Sequence, residues 1–274
     1  MISAREISVW RSCAPWLNDL MVEQDYLLCQ AVAAIFEDPF LKCQLAMRGG
    51  TVLHKAHLAP ASRYSEDIDL VQRTAGPIGP LVDEIRAALD PWLGKPKWKA
   101  GQGRFTLYYR FDTTFTPVVQ MRVKVEINTR EHFAVHGYAT QRVEVVNPWF
   151  SGHADVATFS LPELLRTKLR ALYQRKKGRD LFDLDLALDH PAFDGDGLLA
   201  AFEQYMAFGG TPVTRAQFEA NMAAKLTDPA FLTDVPPLLR TGLEHDAAAA
   251  WSRVHAALVG RLPGEPWKGD GDAR

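Results

Sequence analysis

The segment RYSEDIDLV, residues 63–71, limits the possible folds of this chain more than any other stretch, because it sets two aspartates in an apolar run. Side chains alternate along a β-strand, so Asp67 and Asp69 point to one face while Ile68 and Leu70 point to the other. The segment therefore predicts a strand with a buried apolar face and an acidic face. An edge strand with a solvated acidic face would show the same pattern.

The composition is typical of a globular protein. The chain has 274 residues, of which 47% are hydrophobic and 23% charged, enough for one large domain or two smaller ones. No run approaches the roughly 18 apolar residues of a membrane span, and the N-terminus lacks a signal-peptide pattern. We therefore expect a cytoplasmic protein without a membrane partner, and three reduced cysteines rather than a disulfide. The net charge of −2 excludes strong overall attraction to nucleic acid but allows a local basic patch.

The pattern of apolar residues predicts an α+β protein. The first half combines helical segments with strands at 67–71, 104–112 and 118–130. Beyond about residue 147 the pattern is typical of helices only, predicted at 161–177, 180–188, 197–208 and at two further places before 259. We expect a sheet domain with N-terminal helices over 1–150, a helical domain over 151–262 and a flexible tail over 263–274.

The segment MRGGT reads as a strand end, a glycine pair and the start of a helix. Gly49 and Gly50 would let the backbone approach a ligand closely, and amides at a helix start bind anions. A plain strand-to-helix turn explains the same residues. The glycine pair indicates a phosphate site only if other functional groups lie beside it.

A third carboxylate comes from the segment MRVKVEINTR. Arg122, Lys124 and Glu126 share one face of this predicted strand, so Glu126 can join Asp67 and Asp69 if the two strands are neighbours. Each pair of carboxylates about 4 Å apart costs about 4 kcal/mol at an effective dielectric constant of about 20, which protonation or a bound cation must relieve. Oxygen ligands favour Mg²⁺ or Mn²⁺, and carboxylate-bound Mg²⁺ acts on phosphates. The pattern predicts a metal bound together with a nucleotide.

The segment LPELLRTKLRALYQRKKGRDLFDL forms an amphipathic helix and the start of a second helix. Lys168 lies within the apolar stripe of the first, with Arg175 near it, and a cation there is costly unless it meets an anion. We predict that both face phosphates, with snorkelling to the surface as the alternative. Asp180 would cap the second helix or pair with Lys168. The cations expected on the solvated side are Arg166, Arg170 and Lys177.

Together these segments resemble the nucleotidyltransferase superfamily. More narrowly, RGGTVLHKA, RYSEDIDL and LRTKLRALYQRKKGRDLFDL resemble the AbiEii/AbiGii toxins of bacterial toxin–antitoxin systems. The resemblance implies a nucleotidyltransferase-like mixed sheet flanked by helices and followed by a helical domain. The residues it marks as catalytic are Asp67, Asp69, Glu126, Lys168 and Asp180, the first three as metal ligands. With the patterns above, the expected nucleotide-binding residues are Gly49, Gly50, Thr51, Arg63, Ser65, Lys168 and Arg175.

The resemblance implies an Mg²⁺- or Mn²⁺-dependent enzyme that transfers a nucleotide from an NTP to an acceptor hydroxyl. The expected acceptor is RNA, as the 3′ end of tRNA, and the expected protein partner is a cognate antitoxin. Two alternatives stay open at this point. One is a non-catalytic module that binds nucleotide or protein, and the other is a small-molecule nucleotidyltransferase of the aminoglycoside-modifying kind.

Overall fold

The computed structural model describes residues 2–269, which form two compact units. The first unit extends to Phe159 and includes the later segment Leu238–Gly242, and the second takes in Ser160–Pro237 and the chain from Leu243 onward. Within residues 2–269, no helix is both long and apolar enough to cross a membrane. Residues 270–274 of the predicted flexible tail lie outside the described residues.

The first unit is built on a seven-stranded mixed sheet, counted over the described residues. Its strands are β1 (Leu45–Arg48), β2 (Asp67–Gln72), β3 (Lys97–Gly101), β4 (Arg104–Asp112), β5 (Gln120–Asn128), β6 (Tyr138–Asn147) and β7 (Phe150–Phe159). Their order across the sheet is β3-β4-β5-β2-β1-β7-β6. The pairs β2/β5 and β1/β7 are parallel, and the other neighbours are antiparallel.

Helices accompany this sheet in the first unit. They are α1 (Ala4–Trp10), α2 (Asp19–Glu37), α3 (Pro39–Gln44), α4 (Gly49–Val52), which continues as a π-helical turn over Leu53–His57, and α5 (Gly79–Leu93). The long helix α2 is capped by Asn18, whose side chain accepts a hydrogen bond from the N–H of Met21, and it packs against β5, β7 and α5. A buried ion pair fixes the π-helical turn to α2, since Lys55 Nζ lies 2.7 Å from Asp25 Oδ1.

The predicted α+β class, with a mixed sheet flanked by helices, is confirmed. Strand β4 has the predicted bounds, β5 lies within its predicted segment, and β2 starts at the predicted aspartate. The cysteines are free thiols, as expected, and burial raises the pKa of Cys29 to about 12.

Strands β3, β6 and β7 were not predicted. The expectation that only helices follow residue 147 is wrong, because β7 occupies Phe150–Phe159. The predicted domain boundary at 150 falls on its first residue. Its sequence FSGHADVATF is rich in small and polar residues, so it carries little of the pattern typical of a strand. Its backbone pairs with β1 on one side and β6 on the other, and this tertiary context stabilises the strand.

The second unit is helical. Its helices are α6 (Leu161–Gln174), α7 (Gly178–Ala187), α8 (Gly195–Phe208), α9 (Arg215–Lys225), α10 (Pro229–Leu232) and α11 (Ala247–Ala257). Gly178 starts α7 where a Cβ would collide with the carbonyl oxygen of Phe231. The backbone N–H of Trp267, within the predicted flexible tail, donates a hydrogen bond of 2.7 Å to Glu219 in α9.

The expectation that Arg166 is solvated is wrong. Arg166 is 1% exposed, and its guanidinium carbon lies 3.1 Å from the centre of the Tyr205 ring. Helix α8 packs against α6, so the side of α6 that looked polar in the sequence is covered as well. Tyr205 in turn donates a hydrogen bond of 2.8 Å to Glu163, so this side of α6 is a buried polar contact.

Candidate active site

The acidic face of β2 lies beside the matching face of β5. The two strands are parallel neighbours, and their register pairs Asp67 with Lys124 and Asp69 with Glu126. Ile68 on the other face is fully buried. The predicted division of β2 into two faces is therefore confirmed, the condition that β2 and β5 are neighbours is met, and three carboxylates share one surface of the sheet.

The glycine turn at the end of β1 lies directly against this surface. Gly49 has a φ of 85°, and a Cβ there would collide with Asp69 Oδ2 and lie 3.0 Å from its Cβ and Cγ. Both observations require glycine, since other residues avoid this φ and have no space here. The turn therefore lies as close to the Asp69 carboxylate as backbone atoms allow.

The other predicted nucleotide-binding residues of the first unit lie around the same turn. A Cβ on Gly50 would lie 2.8 Å from Arg63 Nη2 and 2.9 Å from Ser65 Oγ. Thr51 Oγ1 lies 2.9 Å from Ser65 Oγ and donates a 2.6 Å hydrogen bond to the carbonyl of Asp67. The structure thus brings these residues together with the two aspartates.

Lys124 neutralises two of the carboxylates. Its ammonium lies 3.0 Å from Asp67 Oδ2 and 3.4 Å from Glu126 Oε2. Burial by itself would lower the pKa of Lys124, but Asp67, followed by Asp69 and Glu126, more than offsets this effect, so the pKa is raised. Lys124 therefore stays charged and acts as the counter-ion of the acidic face.

Asp69 has a less favourable environment. Burial raises its pKa above the ordinary value, and the nearby Asp67 carboxylate raises it further. Arg48, paired with Asp69 in the β1/β2 register, opposes the shift only in part, and its guanidinium forms an ion pair with Glu131 at 2.9 Å. The charge on Asp69 is thus compensated incompletely by the side chains around it.

The donor set fits a hard divalent cation. Asp67, Asp69 and Glu126 offer only carboxylate oxygens, the ligands that Mg²⁺ and Mn²⁺ prefer. Over residues 2–269, no three His, Cys, Asp or Glu side chains already converge as a metal-binding group. Lys124 lies within 3.4 Å of the carboxylates of both Asp67 and Glu126.

The remaining predicted residues belong to the second unit, where they form a buried ion-pair network. Lys168 Nζ lies 2.8 Å from Asp183 Oδ2 and 3.8 Å from Asp180 Oδ1, and both aspartates are fully buried. Arg175 binds Asp180 through two hydrogen bonds of 2.7 and 2.8 Å. Lys168 is thus inward-facing, as predicted, and its nearest carboxylate is that of Asp183.

Sequence reasoning assigned no role to two residues of the acidic surface. Lys124 was placed on the correct face of its strand, and the signal that it is a counter-ion was its position two residues before Glu126 in VKVEIN. Arg48 immediately precedes the glycine pair, but only the antiparallel register of β1 and β2 shows that it neighbours Asp69.

These observations define a class: an α+β protein whose mixed sheet presents carboxylates of two adjacent strands beside a glycine turn. The chain belongs to the AbiEii family, since the sequence profile described as nucleotidyl transferase AbiEii toxin of type IV toxin–antitoxin systems matches residues 30–253. The resemblance inferred from the motifs is confirmed, and the chain is a nucleotidyltransferase toxin of that family. No curated protein sequence gave a match.

Solved structures share the fold. MenT4, a nucleotidyltransferase toxin from Mycobacterium tuberculosis H37Rv, superposes with a TM-score of 0.65 at 18% identity, over 95% of this chain and 89% of that chain. JHP933 from Helicobacter pylori gives a TM-score of 0.54 at 16% identity, over 88% and 91% of the two chains. A nucleotidyltransferase-like protein from H. pylori gives 0.51 at 16% identity, over 88% and 94%. The predicted nucleotidyltransferase-like fold is confirmed.

Proposed function

We propose that this toxin uses Mg²⁺ or Mn²⁺ and an NTP to add a nucleotide to the terminal hydroxyl of an RNA, with the 3′ end of tRNA as the candidate acceptor. The observation that carries the proposal is the register of Asp69 with Glu126 directly beside the turn at Gly49. A phosphate-binding turn and oxygen ligands for a cation are the two elements that nucleotidyl transfer needs.

In this reaction the acceptor hydroxyl oxygen forms a bond to the α-phosphorus of the NTP. The bond between that phosphorus and the oxygen leading to the β-phosphate breaks, and pyrophosphate leaves. A bound cation would supply charge neutralisation at the phosphates. Asp67 and Asp69 would hold it, and Glu126 would complete the ligand set or accept the proton of the hydroxyl.

The turn residues would orient the nucleotide. The backbone at Gly49 and Gly50 offers a close approach to phosphate, and Ser65 and Arg63 supply polar groups beside it. The roles of Lys168, Asp180 and Arg175 towards the nucleotide stay predictions drawn from the family pattern. Because the reaction consumes NTPs and RNA, we expect it to take place in the cytoplasm, under control of a cognate antitoxin.

The test is a transfer assay with purified protein, Mg²⁺, each NTP labelled at its α-phosphate, and total RNA or a mixture of aminoglycosides as acceptor. We expect labelled RNA with at least one NTP and none with Asp69→Asn. Label on an aminoglycoside instead would assign the small-molecule reaction. Absence of transfer to any acceptor would favour a binding module and overturn the proposal.

A further inference from the structure

The sheet surface that bears the carboxylates continues across β5, β4 and β3 as a row of cations. Residues paired in register lie on the same side of a sheet, and the pairing places Tyr108 between Lys97 and Lys124 and Arg110 opposite Arg122. The cations on this side, which we name the cationic face, are Lys97, Lys99, Arg104, Arg110 and Arg122.

All members of the cationic face are exposed. In the part of the chain that the structure describes, none of them forms an ion pair, unlike Lys124 in the same surface. Within strands β3 to β5, the carboxylates on this side are Glu126 of the candidate site and Asp112, which lies at the opposite end of β4 and pairs in register with Gln120. A local excess of positive charge therefore adjoins the site in a chain whose net charge is −2.

This surface is concave beside the site. A cavity of about 250 Å³ is lined by the cations Lys99, Arg104 and Arg122, and it reaches Lys124 and Glu126. Tyr108 also lines it, with the Arg122 guanidinium carbon 5.3 Å from the centre of its ring. The cavity thus combines exposed cations with an aromatic ring and reaches the carboxylate of Glu126.

We propose that the cationic face binds the phosphate backbone of the acceptor RNA and leads its terminal hydroxyl to the carboxylates of β2 and β5. This inference rests on the proposed function, and it names the surface that recognises the acceptor. From β3 to β2 the face spans three strand spacings, about 14 Å, which exceeds the reach of a single phosphate. Unpaired cations that track a backbone, with an aromatic side chain among them, are typical of surfaces that bind single-stranded nucleic acid.

Two different roles for these cations would give different results. If the cations serve only solubility, their removal leaves RNA and nucleotide binding unchanged. If they bind the phosphates of the NTP, their removal weakens nucleotide binding. The test must therefore measure both affinities in the same variant.

The experiment uses the full chain and a short fluorescein-labelled single-stranded RNA with a free 3′ hydroxyl, without NTP, followed by fluorescence anisotropy. The triple variant carries Lys99→Ala, Arg104→Ala and Arg122→Ala. A control variant loses three cations elsewhere in the first unit, through Arg5→Ala, Lys42→Ala and Arg142→Ala. Circular dichroism checks that both variants are folded, and calorimetry with a non-hydrolysable NTP analogue measures nucleotide affinity.

We expect the triple variant to bind RNA about a hundredfold or more weakly than the wild type at about 50 mM salt, because each lost phosphate contact removes about 0.7 from the slope of log affinity against log salt. The slope of log RNA affinity against log salt should fall by about 2 for the three lost contacts. The ratio of wild-type to variant affinity should therefore decrease about 16-fold between about 50 and about 200 mM salt. Nucleotide affinity should not change, and the control should follow the wild type. If the triple variant misfolds, Arg122→Gln alone is used, with an expected slope change of about 0.7.

Equal RNA binding by the triple and control variants, no RNA binding by the wild type, or a loss of nucleotide affinity in place of RNA affinity would each overturn the inference. The transfer assay separates this failure from that of the proposed function. A wild type that labels RNA while the triple variant binds it normally refutes only the cationic face. A wild type that labels nothing refutes the proposed function, and reduced RNA binding by the triple variant would still support the surface.

Discussion

The ammonium of Lys124 on β5 lies 3.0 Å from the carboxylate of Asp67 on β2, the parallel neighbour of β5. A second carboxylate, that of Glu126, lies 3.4 Å from the same nitrogen. The chain therefore carries its own positive charge within the acidic surface. A divalent cation that binds to Asp67 and Glu126 must compete with this ammonium or share the carboxylates with it.

Replacement of Lys124 by methionine removes this competitor while keeping most of the side-chain volume. We expect Lys124→Met to bind Mn²⁺ more tightly than the wild type in the absence of nucleotide, and to melt at a lower temperature in EDTA because two carboxylates lose their counter-ion. Calorimetric titration and thermal denaturation measure the two effects. Lys99→Met is the matched control, since Lys99 lies on the same side of the sheet and forms no ion pair with any residue of 2–269. Weaker Mn²⁺ binding by Lys124→Met would contradict the account.

The turn at Gly49 allows a comparison between two glycines. Gly49 and Gly94 both have a positive φ, of 85° and 76°, but only at Gly49 would a Cβ meet other atoms, those of Asp69. Each alanine variant should lose about 1–3 kcal/mol of unfolding free energy through backbone strain. Only Gly49→Ala should also lose nucleotidyl transfer, because it displaces the Asp69 carboxylate. Urea denaturation and the transfer assay measure both, and full activity of a folded Gly49→Ala would show that the close approach is not needed.

A loss of activity in Lys168 variants could come from the buried ion pairs or from a lost contact to nucleotide, and a double variant separates the two. Lys168→Met leaves the buried carboxylates of Asp183 and Asp180 short of a cation and should cost about 3–5 kcal/mol of unfolding free energy. The double variant Lys168→Met/Asp183→Asn should recover part of that cost. If Lys168 also contacts nucleotide, the double variant will still bind an NTP analogue more weakly than Asp183→Asn alone. Equal affinities of these two variants would assign Lys168 to the ion-pair network only.

The second unit should show a specific acid sensitivity through Glu219. Burial alone would raise the pKa of Glu219, but hydrogen bonds of 2.7 Å from His255, Arg215 and the N–H of Trp267 lower it to about 2. A lowered pKa means that this stabilisation is present above the ordinary value of 4.5 and is lost as the pH falls towards 2. Glu219→Gln should therefore cost about 2 kcal/mol at neutral pH and much less near pH 3.

Urea denaturation at the two pH values checks this expectation. Glu203→Gln, at an exposed position of α8, is the control and should change stability little at either pH. A cost for Glu219→Gln that is the same at both pH values would show that the ionised carboxylate is not what stabilises this contact.

Much of the first unit could be predicted because its signals are local. The alternation in RYSEDIDLV defines both faces of β2, and the paired glycines before TVLHKAHL mark the turn where α4 begins. These features depend on few residues at short range.

The features that the sequence did not predict depend on contacts between distant segments of the chain. Strand β7 is stabilised by its neighbours β1 and β6 rather than by its own composition. Arg166 is buried because α8 covers a side of α6 that looks polar in the sequence. Lys124 becomes a counter-ion only through the register that sets it beside Asp67. Register and helix packing are long-range properties, and they account for each of these differences.

The proposed function depends above all on a cation site formed by the carboxylates of β2 and β5. Its most direct test is a Mn²⁺ titration followed by electron paramagnetic resonance, with a non-hydrolysable NTP analogue present, on the wild type, Asp69→Asn and Glu66→Gln. Glu66 is an exposed carboxylate that precedes β2 and lies outside the proposed ligand set. We expect Asp69→Asn to lose bound Mn²⁺ and Glu66→Gln to retain it. Undiminished Mn²⁺ binding by a folded Asp69→Asn would contradict this expectation.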